Sequence, residues 1–198
     1  MQAVKMLFAI IMFDEGLMES KERVVLGGGC FWCLDAVFLR INGVQSAVSG
    51  YMGGATANPT YEAVCSGTTG HVEVVEIVFE KEVIEFTDIL RIFFSIHDPT
   101  TLDRQGADVG SQYRSVIFTH TDEQMAEANQ LIQQLDGTST WSRPIVTEVK
   151  PVDIFYAAED YHHQYYESNR SQPYCQYVID PKIEKLRNSW AKFLKTAP

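Results

Sequence analysis

Cys30 is the residue whose setting most invites a chemical reading. It closes a run of three glycines and opens a Cys-x-x-Cys pair, Gly27 to Cys33 reading GGGCFWC. Ahead of it, Arg23 to Leu26 (RVVL) has the look of a short buried strand. Behind it, Leu34, Val37, Phe38 and Ile41 recur at i, i+3, i+4 and i+7, the spacing of one helical face. The glycines therefore turn the chain between a strand and a helix, and Cys30 stands in the helix's first turn. Unpaired N–H groups and the positive end of the helix dipole favour a thiolate there, which predicts a Cys30 pKa lowered toward neutrality. A thiolate is the nucleophile, so position alone marks Cys30 as an attacking group. The bland alternative is a structural cysteine beneath a glycine turn, but a CxxC at a helix start is more often redox or metal chemistry.

A partner acid is suggested by the strand His71 to Glu80 (HVEVVEIVFE). Alternation places Glu73 on the same face as Val75, Ile77 and Phe79, an apolar layer. A carboxyl buried there would hold its proton near neutral pH and could act as a general acid. The alternative is an exposed strand-end glutamate, like Glu76 or Glu80. The remaining cysteines read differently. Cys65, in AVCSG, is expected to be a buried structural thiol. Cys175 stands in SQPYCQYVIDPK, whose turn formers would let a tail swing over a site.

The elements that must hold these groups follow in order. After the first strand and helix, Asn42-Gly43 ends the helix and Val44 to Tyr51 forms a second strand. A loop-rich stretch from Met52 to Thr69 leads to the Glu73 strand. Phe86 to Ile96 is a helix stopped by Asp98-Pro99, and an irregular segment, Thr100 to Gln112, precedes a strand at Tyr113 to Thr119. Thr121 with Gln124 forms a capping box for a helix to about Leu135. A further strand is expected at Ile145 to Lys150, and Pro181 opens a C-terminal helix ending near Leu194. The order strand, helix, strand, strand, helix, strand predicts an α+β fold. Its architecture would be a ferredoxin-like, split βαβ two-layer sandwich wrapped by C-terminal segments.

At 198 residues the chain suits one domain, expected over 21–198, with residues 1–20 as an N-terminal extension. Its apolar run Met6 to Phe13 is too short to span a bilayer and is followed by Asp14-Glu15 rather than a cleavage site. A cytoplasmic, monomeric protein is expected. The formal charge of −10 gives no general attraction to nucleic acid or anionic lipid.

Several longer motifs carry a family resemblance: GCFW after the first strand, GYMGG at 50–54, NPTYEAVCSGTTGHVE at 58–73, HDPTTLDRQGADVGSQYRS at 97–115 and AEDYHHQYY at 158–166. In this order they resemble the peptide methionine sulfoxide reductases of the A type, from Val24 to about Lys185. The resemblance implies reduction of the S epimer of methionine sulfoxide, free or in peptides and oxidised proteins, with no bound cofactor or metal. Thioredoxin, or dithiothreitol in vitro, would be the reductant. It implies a catalytic role for Cys30 and Glu73, and it singles out Tyr61 and Tyr113 as hydroxyl donors to the sulfoxide oxygen. Asp108 becomes an active-site carboxylate rather than a turn residue. Phe31 and Trp32, otherwise ordinary core aromatics, would form a dry wall for the substrate methyl. A sulfenic acid on Cys30 must then be resolved. Cys175 is narrowly preferred for that step over Cys33, or a relay runs through both; Cys33 departs from the glycine often found there in the family.

Two other readings remain. A thioredoxin-like dithiol oxidoreductase would share the strand–CFWC–helix but leave GHVE and DRQGADVG without purpose. A zinc-binding module using Cys30, Cys33, Cys175 and His162 or His163 has the wrong spacing in its second half.

Overall fold

The computed structural model describes residues 20–196; the apolar run Met6 to Phe13 lies outside them. The chain opens with strand β1 (Lys21–Gly27), helix α1 (Phe31–Phe38), β2 (Val44–Met52), a short helix α2 (Tyr61–Cys65) and β3 (Val72–Glu80). Helix α3 (Phe86–Ile96) precedes a small ribbon of β4 (Arg104–Gln105) and β5 (Asp108–Val109), then β6 (Val116–Thr119) and helix α4 (Asp122–Asp136). The remainder is β7 (Glu148–Pro151), β8 (Tyr156–Ala157), the helical turn α5 (Tyr165–Ser168), a π-helical turn (Cys175–Ile179) and helix α6 (Asp180–Ser189).

Six of these strands form one mixed sheet, ordered β7-β6-β1-β3-β2-β8. The pairs β1–β3, β1–β6, β2–β3 and β2–β8 are antiparallel, while β7 runs parallel to β6. The result is a mixed α/β fold around a central mixed sheet. Alternation along the strands sorts its two faces. Val24, Leu26, Val75, Ile77, Phe79 and Ile117 pack with the helices, whereas Val25, Val72, Val74, Val116 and Phe118 form a second cluster with Met52 and Phe155.

Helix α1 is buried nearly all round, because it is packed on both sides. The sheet covers one flank. The C-terminal wrap covers the other, with Cys33 and Ala36 packed among Tyr166, Cys175, Ile179 and Ile183. Helix α3 follows the expected bounds and buries seven of its eleven residues. In the capping box, Thr121 Oγ1 accepts from the Gln124 N–H at 3.1 Å, but the Gln124 side chain takes the N–H of His120 rather than that of Thr121.

Several local expectations are corrected. The loop-rich stretch contains helix α2, capped by Thr60, whose hydroxyl accepts the Ala63 N–H at 3.3 Å. Tyr113 ends a 3-10 turn (Ser111–Tyr113) instead of starting a strand, because the Arg114 N–H bonds back to the Ser111 carbonyl. The strand after α4 starts at Glu148, not Ile145, where the register with Val116 begins. The segment around Cys175 is a helical turn continuous with α6, with Cys175 and Ile179 buried, rather than a loop.

Candidate active site

Two glycines let the chain pass tightly into α1. Gly29 has φ +95°, a region side chains avoid, and a Cβ on it would meet Gln105 Cγ at 2.6 Å. A Cβ on Gly28 would lie 2.8 Å from the Phe93 ring. Gln105 is itself fixed, since its amide accepts from Asp98 N–H and donates to the Asp98 carbonyl, both at 3.1 Å. The glycine turn thus docks against the β4–β5 ribbon that carries Asp108. The Gly29 N–H also donates to the Tyr113 carbonyl at 3.2 Å, joining the Tyr113 turn to the same point.

Cys30 is the residue preceding α1, and its sulfur faces the Glu73 carboxyl from β3. The Phe31 N–H, one of the helix's free donors, donates to Glu73 Oε2 at 3.1 Å, and Cys30 Sγ lies within hydrogen-bonding reach of the same carboxyl. Glu73 is 1% exposed on the face shared with Val75, Ile77 and Phe79, as alternation requires. Burial, with Asp108 adding to it, pushes its pKa up to about 8 despite the Phe31 and Cys30 hydrogen bonds. Glu73 therefore holds a proton at neutral pH.

The expected low pKa of Cys30 is not what the structure gives. Burial first, and then the acidic groups of Glu73 and Cys33 beside it, push the Cys30 thiol well above its ordinary value. The opposing hydrogen bonds, from Trp32 N–H and Tyr174, are outweighed. The helix-start logic omitted two facts visible only in three dimensions: the Phe31 N–H is spent on Glu73, and the thiol is buried. Cys33 is also held up, to about 11, mainly by burial, with Lys182 and Tyr174 pulling down.

Aromatic rings build one wall. Phe31 is fully buried and lies near Tyr51, Tyr61 and His162, at centroid distances of 5.9, 6.5 and 4.9 Å. Trp32 is half-buried and stacks on Tyr165 at 3.8 Å, while its Nε1–H donates to His162 Nδ1 at 3.1 Å. Burial raises the pKa values of both Tyr61 and Tyr113, with Glu73 adding in each case, so both hydroxyls stay protonated donors. Tyr61 also hydrogen-bonds Cys65, which is exposed, contrary to its expected burial. Its place at the end of the short helix α2, on the rim, explains the difference.

Residues that the sequence did not single out complete the enclosure. Glu159 accepts from Tyr51 Oη at 2.8 Å and from the Tyr61 N–H at 2.9 Å, tying α2 to the sheet. Tyr174, just before Cys175, donates its hydroxyl to Asp108 Oδ2 at 2.7 Å and lies edge-on to Trp32. Only the motif AEDYHHQYY and the neighbouring Cys175 hinted at this group. A cavity of about 320 Å³ opens beside it, between Cys30, Cys33, Asp108, Tyr177 and Lys182.

The site thus brings together Cys30, Cys33, Glu73, Tyr61, Tyr113, Asp108, Phe31 and Trp32, and Cys175 lies in the buried cluster that contains Cys33 but not Cys30. A model of the family described as "Peptide methionine sulfoxide reductase" matches residues 22–194. The chain belongs to that family. Among similar members, MsrA of Polynucleobacter asymbioticus is 53% identical over 176 residues, covering 89% of this chain and 91% of its own. MsrA of Saccharolobus solfataricus is 52% identical, covering 83% and 92%. The fold is similar to that of reduced Mxr1 from Saccharomyces cerevisiae (TM-score 0.73, 31% identity, 79% of this chain and 90% of that one). It is also similar to methionine sulfoxide reductase A of Corynebacterium diphtheriae (TM-score 0.71, 34% identity, 76% of each chain). Mxr1 in complex with Trx2 shares the fold (TM-score 0.52, 22% identity, 74% and 86%). The family activity, reduction of methionine sulfoxide, is the activity of this chain. The zinc alternative has no donor set: among the described residues no three His, Cys, Asp or Glu are placed to hold a metal ion, and His162 Nδ1 is taken by Trp32.

Proposed function

We propose that the site reduces the S epimer of methionine sulfoxide, free and in proteins, through a Cys30 sulfenic acid and intramolecular disulfides. The observation that carries this reading is the protonated, buried Glu73 carboxyl beside Cys30, anchored by the Phe31 N–H at 3.1 Å. A sulfoxide oxygen leaves only when protonated, so a nucleophile and a proton donor must flank one sulfur. Cys30 attacks the sulfur as Glu73 protonates the oxygen, and the Cys30 thiol proton passes to the hydrogen-bonded Glu73 carboxyl, which ends the step protonated as it began. Tyr61 and Tyr113 hydroxyls hold the oxygen. Phe31 and Trp32 take the methyl group, and Asp108 orders the polar side of the pocket. The high resting pKa of Cys30 is consistent with a thiol ionised only when substrate and Glu73 are in place. Transfer of the oxygen yields methionine and Cys30 sulfenic acid.

Cys33 resolves first and passes the disulfide to Cys175. Cys33 is one helical turn from Cys30, its N–H donating to the Cys30 carbonyl at 3.1 Å, a separation suited to a disulfide with little movement. Cys175 is fully buried in the cluster that also holds Cys33 and Ala36. The relay, rather than direct attack by Cys175, therefore suits this arrangement. Thioredoxin, or dithiothreitol in vitro, returns the dithiol, and no cofactor is bound. The chain acts as a cytoplasmic monomer, with residues 21–198 as one catalytic domain and residues 1–20 as an extension. The order β6-β1-β3-β2 with α1 and α3 as connections supports a ferredoxin-like split βαβ core.

Turnover on separated sulfoxide epimers with thioredoxin tests the proposal. The S form should be consumed and the R form left nearly untouched, because a chiral pocket fixes methyl, oxygen and attack direction together. Equal rates on both epimers would refute it.

A further inference from the structure

Tyr174 occupies a position that sulfoxide reduction does not require. Its hydroxyl donates to Asp108 Oδ2 at 2.7 Å and lies 4.0 Å from Cys33 Sγ, within sulfur hydrogen-bonding distance. The same hydroxyl hydrogen-bonds Cys30. One phenol thus touches both sulfurs that must join. Its ring is held edge-on to Trp32 at 5.8 Å, and the backbone behind it enters the π-helical turn that starts at the buried Cys175. Because the Tyr174 proton points to Asp108, the free lone pairs of its oxygen are turned to accept from the Cys33 thiol.

We propose that Tyr174 is a catalytic residue of the resolving step, exchanging protons between Cys33 and the sulfenic oxygen on Cys30. This rests on the reading in which Cys33 is the first resolving cysteine. A lone pair of Cys33 Sγ forms the S–S bond to Cys30 Sγ, and the Cys30 S–O bond breaks with its electron pair on oxygen. The Tyr174 hydroxyl turns from Asp108 toward Cys30, and the Cys33 S–H proton passes to Tyr174 Oη as the phenolic proton passes to the departing oxygen. The products are the Cys30–Cys33 disulfide and water, with Tyr174 neutral throughout and Asp108 aligning its hydroxyl at rest. No external acid, base or oxidant enters.

The need for such a group is evident from the surroundings. Burial holds the Cys33 thiol at about 11, so very little thiolate exists at neutral pH. The Lys182 cation, whose Nζ donates to the Ile96 carbonyl at 2.6 Å, offsets this only in part. The other groups facing Cys33 and bearing on its ionisation are Asp108, Glu73 and Cys30, each of which opposes it to the extent that it is itself ionised. A neutral shuttle removes the thiol proton without creating a buried anion. Cys33 thereby becomes a competent nucleophile at neutral pH.

Tyr174→Phe tests this, since it keeps the ring against Trp32 and deletes only the hydroxyl. After one turnover on S-sulfoxide without reductant, the Cys30 sulfenic acid is trapped with dimedone at timed intervals and counted by peptide mass. Its lifetime should lengthen by about a hundredfold, the usual worth of a positioned proton-transfer group. Its decay should also become roughly tenfold faster per pH unit, because attack then waits on solvent-formed thiolate, whereas the wild-type rate changes little. Decay in Tyr174→Phe at the wild-type rate and pH slope overturns the proposal. Cys33→Ser separates the underlying reading: if its sulfenic acid still decays at the wild-type rate, Cys33 is not the first resolver, and the proposal falls with that reading rather than on the Tyr174 result.

Discussion

Glu73→Gln should trade activity for stability, and the size of both effects follows from one pKa. The carboxyl titrates at about 8 in the folded protein against 4.5 for an ordinary glutamate. A raised carboxyl pKa means the folded state binds a proton that the unfolded state releases. Stability from this group is therefore lost as pH rises above 4.5, and the loss levels off above 8. At pH 7 the unfolded chain lies about 2.5 pH units beyond its own titration, which at about 1.4 kcal/mol per unit makes the cost about 3 kcal/mol. Glutamine has the shape to accept the Phe31 N–H and never ionises, so it avoids that cost. Urea unfolding should show Glu73→Gln more stable than the wild type by about 3 kcal/mol at pH 7, and by under about 1 kcal/mol at pH 5. Single-turnover methionine release should fall about a hundredfold or more, since glutamine cannot deliver a proton. In the wild type that release should decline as pH rises through about 8, as Glu73 ionises. A variant equally stable at both pH values relative to wild type would refute the protonated Glu73. Undiminished single-turnover release would remove it from the chemistry.

Three other outcomes are expected. Cys30→Ser should release no methionine even in a single turnover, because a serine hydroxyl is scarcely ionised; stoichiometric release would exclude Cys30 as the attacking group. Tyr61→Phe and Tyr113→Phe should each lower single-turnover rates by tens- to hundredfold, the range for one lost donor to a developing oxyanion, and wild-type rates would return either ring to a packing role. Cys175→Ser should release the first methionine and form a mapped Cys30–Cys33 disulfide yet turn over poorly with thioredoxin, whereas normal cycling would take Cys175 out of the relay.

The site was legible in the sequence where chemistry depends on neighbours along the chain. The glycine turn, the helix after Cys30 and the inward face of Glu73 all follow from periods of 3.6 and 2, and the structure has them. What depended on distant segments was not legible. The Cys30 pKa was expected low because a helix start was considered alone, without Glu73 capturing the Phe31 N–H or the burial of the thiol by distant segments. Helix α2 was hidden in a stretch rich in threonine, glycine and alanine, and five residues are too few for a periodic signal. Proline and serine near Cys175 suggested a loop, but Ile179 and Ile183 pack on α1 and bury that segment as helix. Tyr174 and Glu159 carry no local mark, since their roles arise only when the wrap meets Asp108, Tyr51 and Tyr61.

The central claim is that Cys30 takes the oxygen from the sulfoxide. The most direct measurement uses a chain with Cys33 and Cys175 both changed to serine, mixed with excess S-sulfoxide peptide and no reductant. One methionine should be released per protein molecule, and intact and peptide mass should place one added oxygen on Cys30, lost again on dithiothreitol. Release of methionine with no oxygen on Cys30, or with the oxygen on Cys65, would contradict it.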